Sequence, residues 1–183
     1  MIKTATLFII LILSGILPAQ EKLYSFGASA GLGSITGRTP DITALGTEVF
    51  FQFEPSFLNF AYFNLSFMHA RKLEYFLPDN KSSTYYPFIN NYTFSFSVTQ
   101  PFFGRLFLEE SLGYSIINDH TFSSETRSAH GIDFTIFANL LPKYFYEGIS
   151  FSVGFKYGVT FSPESASYVM LMFRSAIRFG YNY

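Results

Sequence analysis

Residues 149–161 read Ile-Ser-Phe-Ser-Val-Gly-Phe-Lys-Tyr-Gly-Val-Thr-Phe, and the period of that stretch decides the class of fold. Ile149, Phe151, Val153, Phe155, Tyr157, Val159 and Phe161 alternate with Ser150, Ser152, Gly154, Lys156, Gly158 and Thr160. A helix would scatter the apolar set around its surface. A strand, whose side chains point to opposite faces in turn, gathers all of it on one side.

The same period continues in both directions. Toward the C-terminus, Val169, Leu171, Phe173, Ile177, Phe179, Tyr181 and Tyr183 oppose Met170, Met172, Arg174, Ala176, Arg178, Gly180 and Asn182. Toward the N-terminus, apolar faces are carried by Tyr24–Leu32, Leu45–Phe53, Tyr92–Val98, Leu106–Ile116 and Ile132–Leu140. In Phe57–Met68 both faces hold aromatics; Ala61, Phe63, Leu65 and Phe67 are the expected apolar side, with a bulge near Tyr62 as an option. The count is eight strands.

Composition narrows what eight such strands can be. Of 183 residues, 49% are hydrophobic and only 14% charged, against about 25% charged in soluble domains. The 25 Phe and 13 Tyr exclude disorder, and the absence of Cys excludes disulfide, zinc-thiolate and thiol chemistry. With a formal net charge of −1 and no basic run, no nucleic-acid partner is expected. Met1-Ile2-Lys3, the apolar run Thr4–Leu17 and Leu17-Pro18-Ala19 have the layout of a secretory signal peptide. The expected organisation is a signal peptide over 1–19 and one barrel domain over 20–183.

Connections expected at Gly33–Thr43, Arg71–Pro87, Asn118–Arg127 and Ser162–Ser167 are polar and on average longer. Those at Glu54–Ser56, Gln100–Gly104 and Pro142–Gly148 are tighter and hold Pro or Gly. Long loops on one rim and short turns on the other describe an outer-membrane barrel with both termini on the short-turn rim. A soluble barrel of this size puts large residues inside. Here the large residues form one face and Gly, Ser and Thr the other, so the bulky face is expected outward, against hydrocarbon. Closure then satisfies every backbone N–H and C=O without water, as lipid demands. A soluble β-sandwich with a Phe-rich core would need more Lys and Glu on these strands than they hold. The expected fold is all-β: an eight-stranded antiparallel up-and-down transmembrane β-barrel.

At this point the chain resembles the small eight-stranded outer-membrane proteins of the OmpA-barrel and OmpX type. The most specific piece is the ending Phe179-Gly180-Tyr181-Asn182-Tyr183, with aromatics at alternate positions. Phe179, Tyr181 and Tyr183 look like the terminal signal read by the barrel-assembly machinery of Gram-negative outer membranes. The resemblance implies residence in that membrane among its lipids and lipopolysaccharide, and a structural or interaction role of envelope or adhesion type without catalysis or cofactor. Lacking Trp, the chain has Tyr24, Tyr92, Tyr114, Tyr157, Tyr181 and Tyr183 for its aromatic girdles.

The inward face carries Glu48, Glu109, Asp133, Lys156, Arg174 and Arg178, three acids and three bases. Buried charges persist when paired. A symmetric 142–148 turn would set Asp133 opposite Lys156, with Glu109 near Asp133, Arg174 near Lys156, and Arg178 and Glu48 close by. Such a ladder would plug the lumen; the alternative is a narrow pore for ions or small solutes. On the outward face, Glu110 lies between Leu108 and Leu112, and Ser128 and His130 share the neighbouring strand. Ser, His and Glu on one lipid-facing patch resemble lipid A deacylases of the PagL type, in which His would activate Ser and Glu would orient it. That family's motif runs His-x-Ser followed by Asn, whereas here Ser128-Ala129-His130 precedes Gly131. His69 and His120 are expected at or in the long loops without metal spacing. Arg71-Lys72 with Glu74 reads as solvated rim charge, with contact to lipopolysaccharide phosphates as the alternative. The 71–87 loop, rich in Tyr and Phe, either extends its strands above the membrane, the preferred reading, or offers a partner a sticky surface; Glu110 is a second possible contact for an envelope protein.

Overall fold

The computed structural model describes residues 22–37, 40–55, 58, 60–77, 87–121, 126–140, 148–162 and 165–181. The signal-peptide segment and Tyr183 lie outside the described residues. Eight strands follow one another: β1 (Lys22–Thr36), β2 (Ile42–Glu54), β3 (Ala61–Lys72), β4 (Phe88–Phe103), β5 (Leu106–His120), β6 (Arg127–Leu140), β7 (Gly148–Thr160) and β8 (Ser167–Tyr181). Each pairs antiparallel with the next, and β8 pairs with β1, closing the barrel. No strand edge is left open, which is the condition for crossing hydrocarbon.

The register shows how the barrel is built. The row Ser25, Gln52, Asn64, Ser95, Gly113, Asp133, Gly158, Tyr168 steps once through the eight strands and returns to β1 at Ile35, ten residues beyond its start. A shear of ten on eight strands tilts each strand by about 43°. One residue then advances about 2.4 Å along the barrel axis, and one step along a row rises about 3 Å toward the loop rim. Every member of that row except its apolar end is small or polar, because it lines the interior. The alternation is carried into burial along the sheet: on β7, Ser150, Ser152 and Lys156 are buried whereas Ile149, Phe151, Val153 and Phe155 are exposed.

The interior is more apolar than a small-and-polar face suggests. Gly27 faces the Phe50 ring, Gly31 and Gly46 face Met172 and Met170, Gly154 faces Phe137, and Gly158 faces Tyr168. The glycines therefore make room for large inward side chains from other strands, and the charged chains are only part of what fills that room. Toward the loop rim the interior holds an apolar cluster including Ile35, Met68, Ile89, Ile117, Tyr168 and Met170.

Local details refine or correct the expectations. Tyr62 is no bulge: the β3–β4 register runs unbroken through it, and the irregularity falls between Pro101 and Phe103, where proline cannot donate to the ladder. Tyr62 points inward, and Phe63, Leu65 and Phe67 form the outer side. β3 runs on through Arg71 and Lys72, and Leu73–Phe76 forms a single 3₁₀ turn; residues 78–86 of the 71–87 loop lie outside the described residues. His69 and His120 lie toward the loop-side ends of β3 and β5. Finally, the β6–β7 register sets Asp133 against Gly158 and Lys156 against Thr135, two residues from the symmetric-turn expectation.

Candidate functional site

Two groups of side chains stand out, one inside the barrel and one on its outer wall. Inside, the charges form two clusters at different heights. In the upper one, the Lys156 ammonium binds Glu48 across the lumen, donates to Ser66 Oγ at 3.3 Å, and lies 3.8 Å from Asp133 Oδ2. Ser29 donates to the other Glu48 oxygen at 2.9 Å, the Tyr168 hydroxyl donates to Asp133, and Asn91 Nδ2 reaches Asp133 Oδ2 at 3.1 Å. In the lower cluster, Arg174 grips Glu109 with both terminal nitrogens and donates to Ser152 Oγ at 3.2 Å and Asn139 Oδ1 at 3.0 Å. Gln52 and Asn139 complete the Glu109 carboxylate, at 3.2 and 2.5 Å. The Arg174 guanidinium lies between rings, 4.2 Å from the Phe137 centroid and 5.0 Å from that of Phe50.

These pairings differ from the single ladder the spacing suggested. Glu109 stands opposite Phe137, not beside Asp133, and Arg174 stands opposite Ser152, four positions from Met170, the partner of Lys156. Glu48 belongs to the Lys156 cluster, and Arg178 is buried near the turn rim opposite Gly148 and Ser25. The long-range partners Glu48–Lys156 and Glu109–Arg174 lie on strands that are not neighbours, so strand counting across one turn has no access to them. Tyr62, bonded to Thr99 at the turn rim, and Tyr168 are lumen residues the sequence reading passed over. The signal for both was present, since each occupies the inward parity of its strand.

Outside, Phe26, Leu65, Phe94, Phe155, Leu171 and Phe173 are among many large apolar side chains left exposed. With the tilt above, the outward apolar side chains of β7 and β8 span about 25 Å of axial height, from Phe179 to Val159. That is the height of the apolar band of a membrane barrel. Glu110 is exposed within this band, between Val98 and Ile136 on the adjoining strands and about 10 Å from its turn-side edge.

Toward the loop rim, on β2 to β6, the band gives way to polar groups. Thr47, His69, Asn90, Asn118 and Ser128 are successive register partners on the outer face. His69 Nδ1 and Asn90 Oδ1 are 2.7 Å apart, and Ser128 donates to Asn118 Oδ1 at 2.8 Å. One row higher, the Phe88 ring stacks on His120 with centroids 4.2 Å apart and meets His69 at 5.4 Å. Arg71 holds its guanidinium 3.7 Å over the Tyr75 ring and 5.3 Å from that of Phe88. All three histidines of the chain thus face outward near this rim, since His130 bonds the Tyr114 hydroxyl on the same wall.

The geometry does not assemble Ser128, His130 and Glu110. His130 pairs its ring with Tyr114 and Ser128 with Asn118, while the residue opposite His130 is Ile116, about 20 Å along β5 from Glu110. Among the described residues no three His, Asp or Glu side chains gather as a metal ion would require. At the C-terminal end, Phe179 faces outward on β8 and Tyr181 closes the strand.

No protein-family model matches the chain, and no curated protein matches it in sequence. The fold does have counterparts. Neisserial surface protein A superposes with a TM-score of 0.64 at 8% identity, covering 85% of this chain and 97% of that one. Ail, the attachment invasion locus protein of Yersinia pestis, crystallised with the heparin analogue sucrose octasulfate, gives 0.57 at 14% identity, covering 88% and 100%. The chain therefore has the fold of small eight-stranded outer-membrane barrels.

Proposed function

We propose that this protein, freed of the signal peptide 1–19, resides in the outer membrane of a Gram-negative bacterium as a non-catalytic, non-conducting barrel with an envelope or adhesion-type role. The observation that carries the reading is a closed barrel whose outer wall is covered by exposed rings and aliphatic chains and whose interior holds paired charges. Eight strands enclose a bore just wide enough for side chains. Here the Arg174–Glu109 and Lys156–Glu48 pairs reach across it, Phe50, Phe137 and Met172 occupy the space around them, and the apolar cluster lies toward the loop rim. An ion would have to displace paired charges and then cross an apolar layer. The separation of Glu110 from His130 favours a role without ester hydrolysis. Sharing a fold with an attachment protein makes adhesion through the loop rim, where Tyr75, Phe76 and Leu77 are exposed, the natural role to test. Phe179, Tyr181 and Tyr183 would serve insertion by the assembly machinery.

The test is refolding into lipid vesicles, read by a heat-modifiable gel shift, followed by planar-bilayer recording. A folded band that stays silent electrically, in wild type and in Lys156→Met alike, supports the proposal. Stepwise conductance would restore the pore, and a water-soluble monomer without detergent would refute the membrane reading altogether.

A further inference from the structure

We infer that the outer wall of β2 to β5 is a seat for a phosphorylated glycolipid of the outer leaflet, with Arg71 as its phosphate contact. The inference rests on the membrane reading and adds a binding site to it. Three observations meet on one wall. First, Val49, Phe51, Leu65, Phe67, Tyr92 and Phe94 line an open apolar groove on the lipid-facing surface. Second, the pair Phe67–Tyr92 at the top of this groove lies one outward position below His69–Asn90, so the groove runs directly into the polar belt. Third, Arg71 stands one outward position above His69 and, among the described residues, is oriented by rings and by no carboxylate: Tyr75 and Phe88 hold its guanidinium. Its neighbour Lys72 is already engaged, 2.7 Å from Glu74.

Stacking fixes the plane of a guanidinium; with Nε of Arg71 buried, its terminal nitrogens are the donors that match the oxygens of a phosphate. An acyl chain in the groove would place a lipid's head group beside His69 and Arg71, with His120, two register steps beyond Arg71, about 6 Å higher. The polar belt spans five strands, about 20 Å of wall. That is wider than one phosphodiester head group, and the amides and hydroxyls of Asn90, Asn118, Ser128 and Thr47 suit sugar hydroxyls. A phosphorylated, multiply acylated sugar therefore fits this wall better than a glycerophospholipid.

The experiment is native mass spectrometry of the detergent-folded full barrel, its folding first checked by the gel shift, titrated with bisphosphorylated lipid A, dephosphorylated lipid A and phosphatidylglycerol. The expected result is retention of the bisphosphorylated form, weakened about tenfold or more by removing its phosphates and by Arg71→Gln. Tyr157→Ala, on the opposite wall, is expected to leave retention unchanged. Equal retention of phosphatidylglycerol, indifference to phosphate removal, or an equal loss in Tyr157→Ala would each overturn the seat. The lipid comparison uses wild-type protein, so it decides even if a variant folds poorly. Failure of the wild-type chain to give a folded band refutes instead the membrane reading on which the seat rests.

Discussion

Removing the Glu109 carboxylate should destabilise the barrel strongly. Glu109 is almost wholly buried and accepts two hydrogen bonds from Arg174, one from Gln52 and one from Asn139. In Glu109→Ala all four donors lose their acceptor, and Arg174 keeps a positive charge in a space from which its counter-charge has gone. Breaking a buried pair from one side costs about 3–5 kcal/mol, because the remaining charge is neither solvated nor paired. At about 1.4 kcal/mol per factor of ten, the folded-to-unfolded ratio falls by roughly two to three and a half powers of ten. The double variant Glu109→Leu/Arg174→Met should recover most of this, since matched apolar groups of similar volume often replace a buried pair at little cost. The assay is urea unfolding in lipid vesicles, scored by the fraction of protein migrating as the folded band, because the chain has no Trp to report by fluorescence. A Glu109→Ala barrel within about 1 kcal/mol of wild type would refute the reasoning, showing the pair to be hydrated and the lumen open at that level.

Three further outcomes follow from the same geometry. Phe155→Arg puts a cation on the outer wall near mid-height and should cost about 2–4 kcal/mol in the same titration, whereas a soluble barrel would tolerate it. Glu110→Leu should be neutral or stabilise by about 1 kcal/mol in pure lipid, since it removes a carboxylate from the apolar band; a loss of stability, or loss of a co-purifying protein from outer membranes, would instead identify Glu110 as a contact. Met170→Ala empties part of the loop-side cluster and should cost about 2–5 kcal/mol without opening a conductance, because both charge clusters below it remain; a current in planar bilayers would contradict that layering.

The strands, their number, their parity and the direction of the greasy face were legible in the sequence, because a period of two is a local property and the scarcity of charge leaves hydrocarbon as the only solvent for the exposed rings. Residues such as Phe151, Ser152, Phe155 and Lys156 state their own faces. Register was legible only within one hairpin, and even there a shift of two residues moved Asp133 from Lys156 to Gly158. What the tertiary structure alone decided is which residues meet across the bore and along the wall. Closure with a shear of ten brings Lys156 of β7 to Glu48 of β2 and Arg174 of β8 to Glu109 of β5. The same tilt lines up Thr47, His69, Asn90, Asn118 and Ser128 as one belt. Such contacts join positions far apart in the chain through the sum of every register around the ring, and no local pattern encodes that sum.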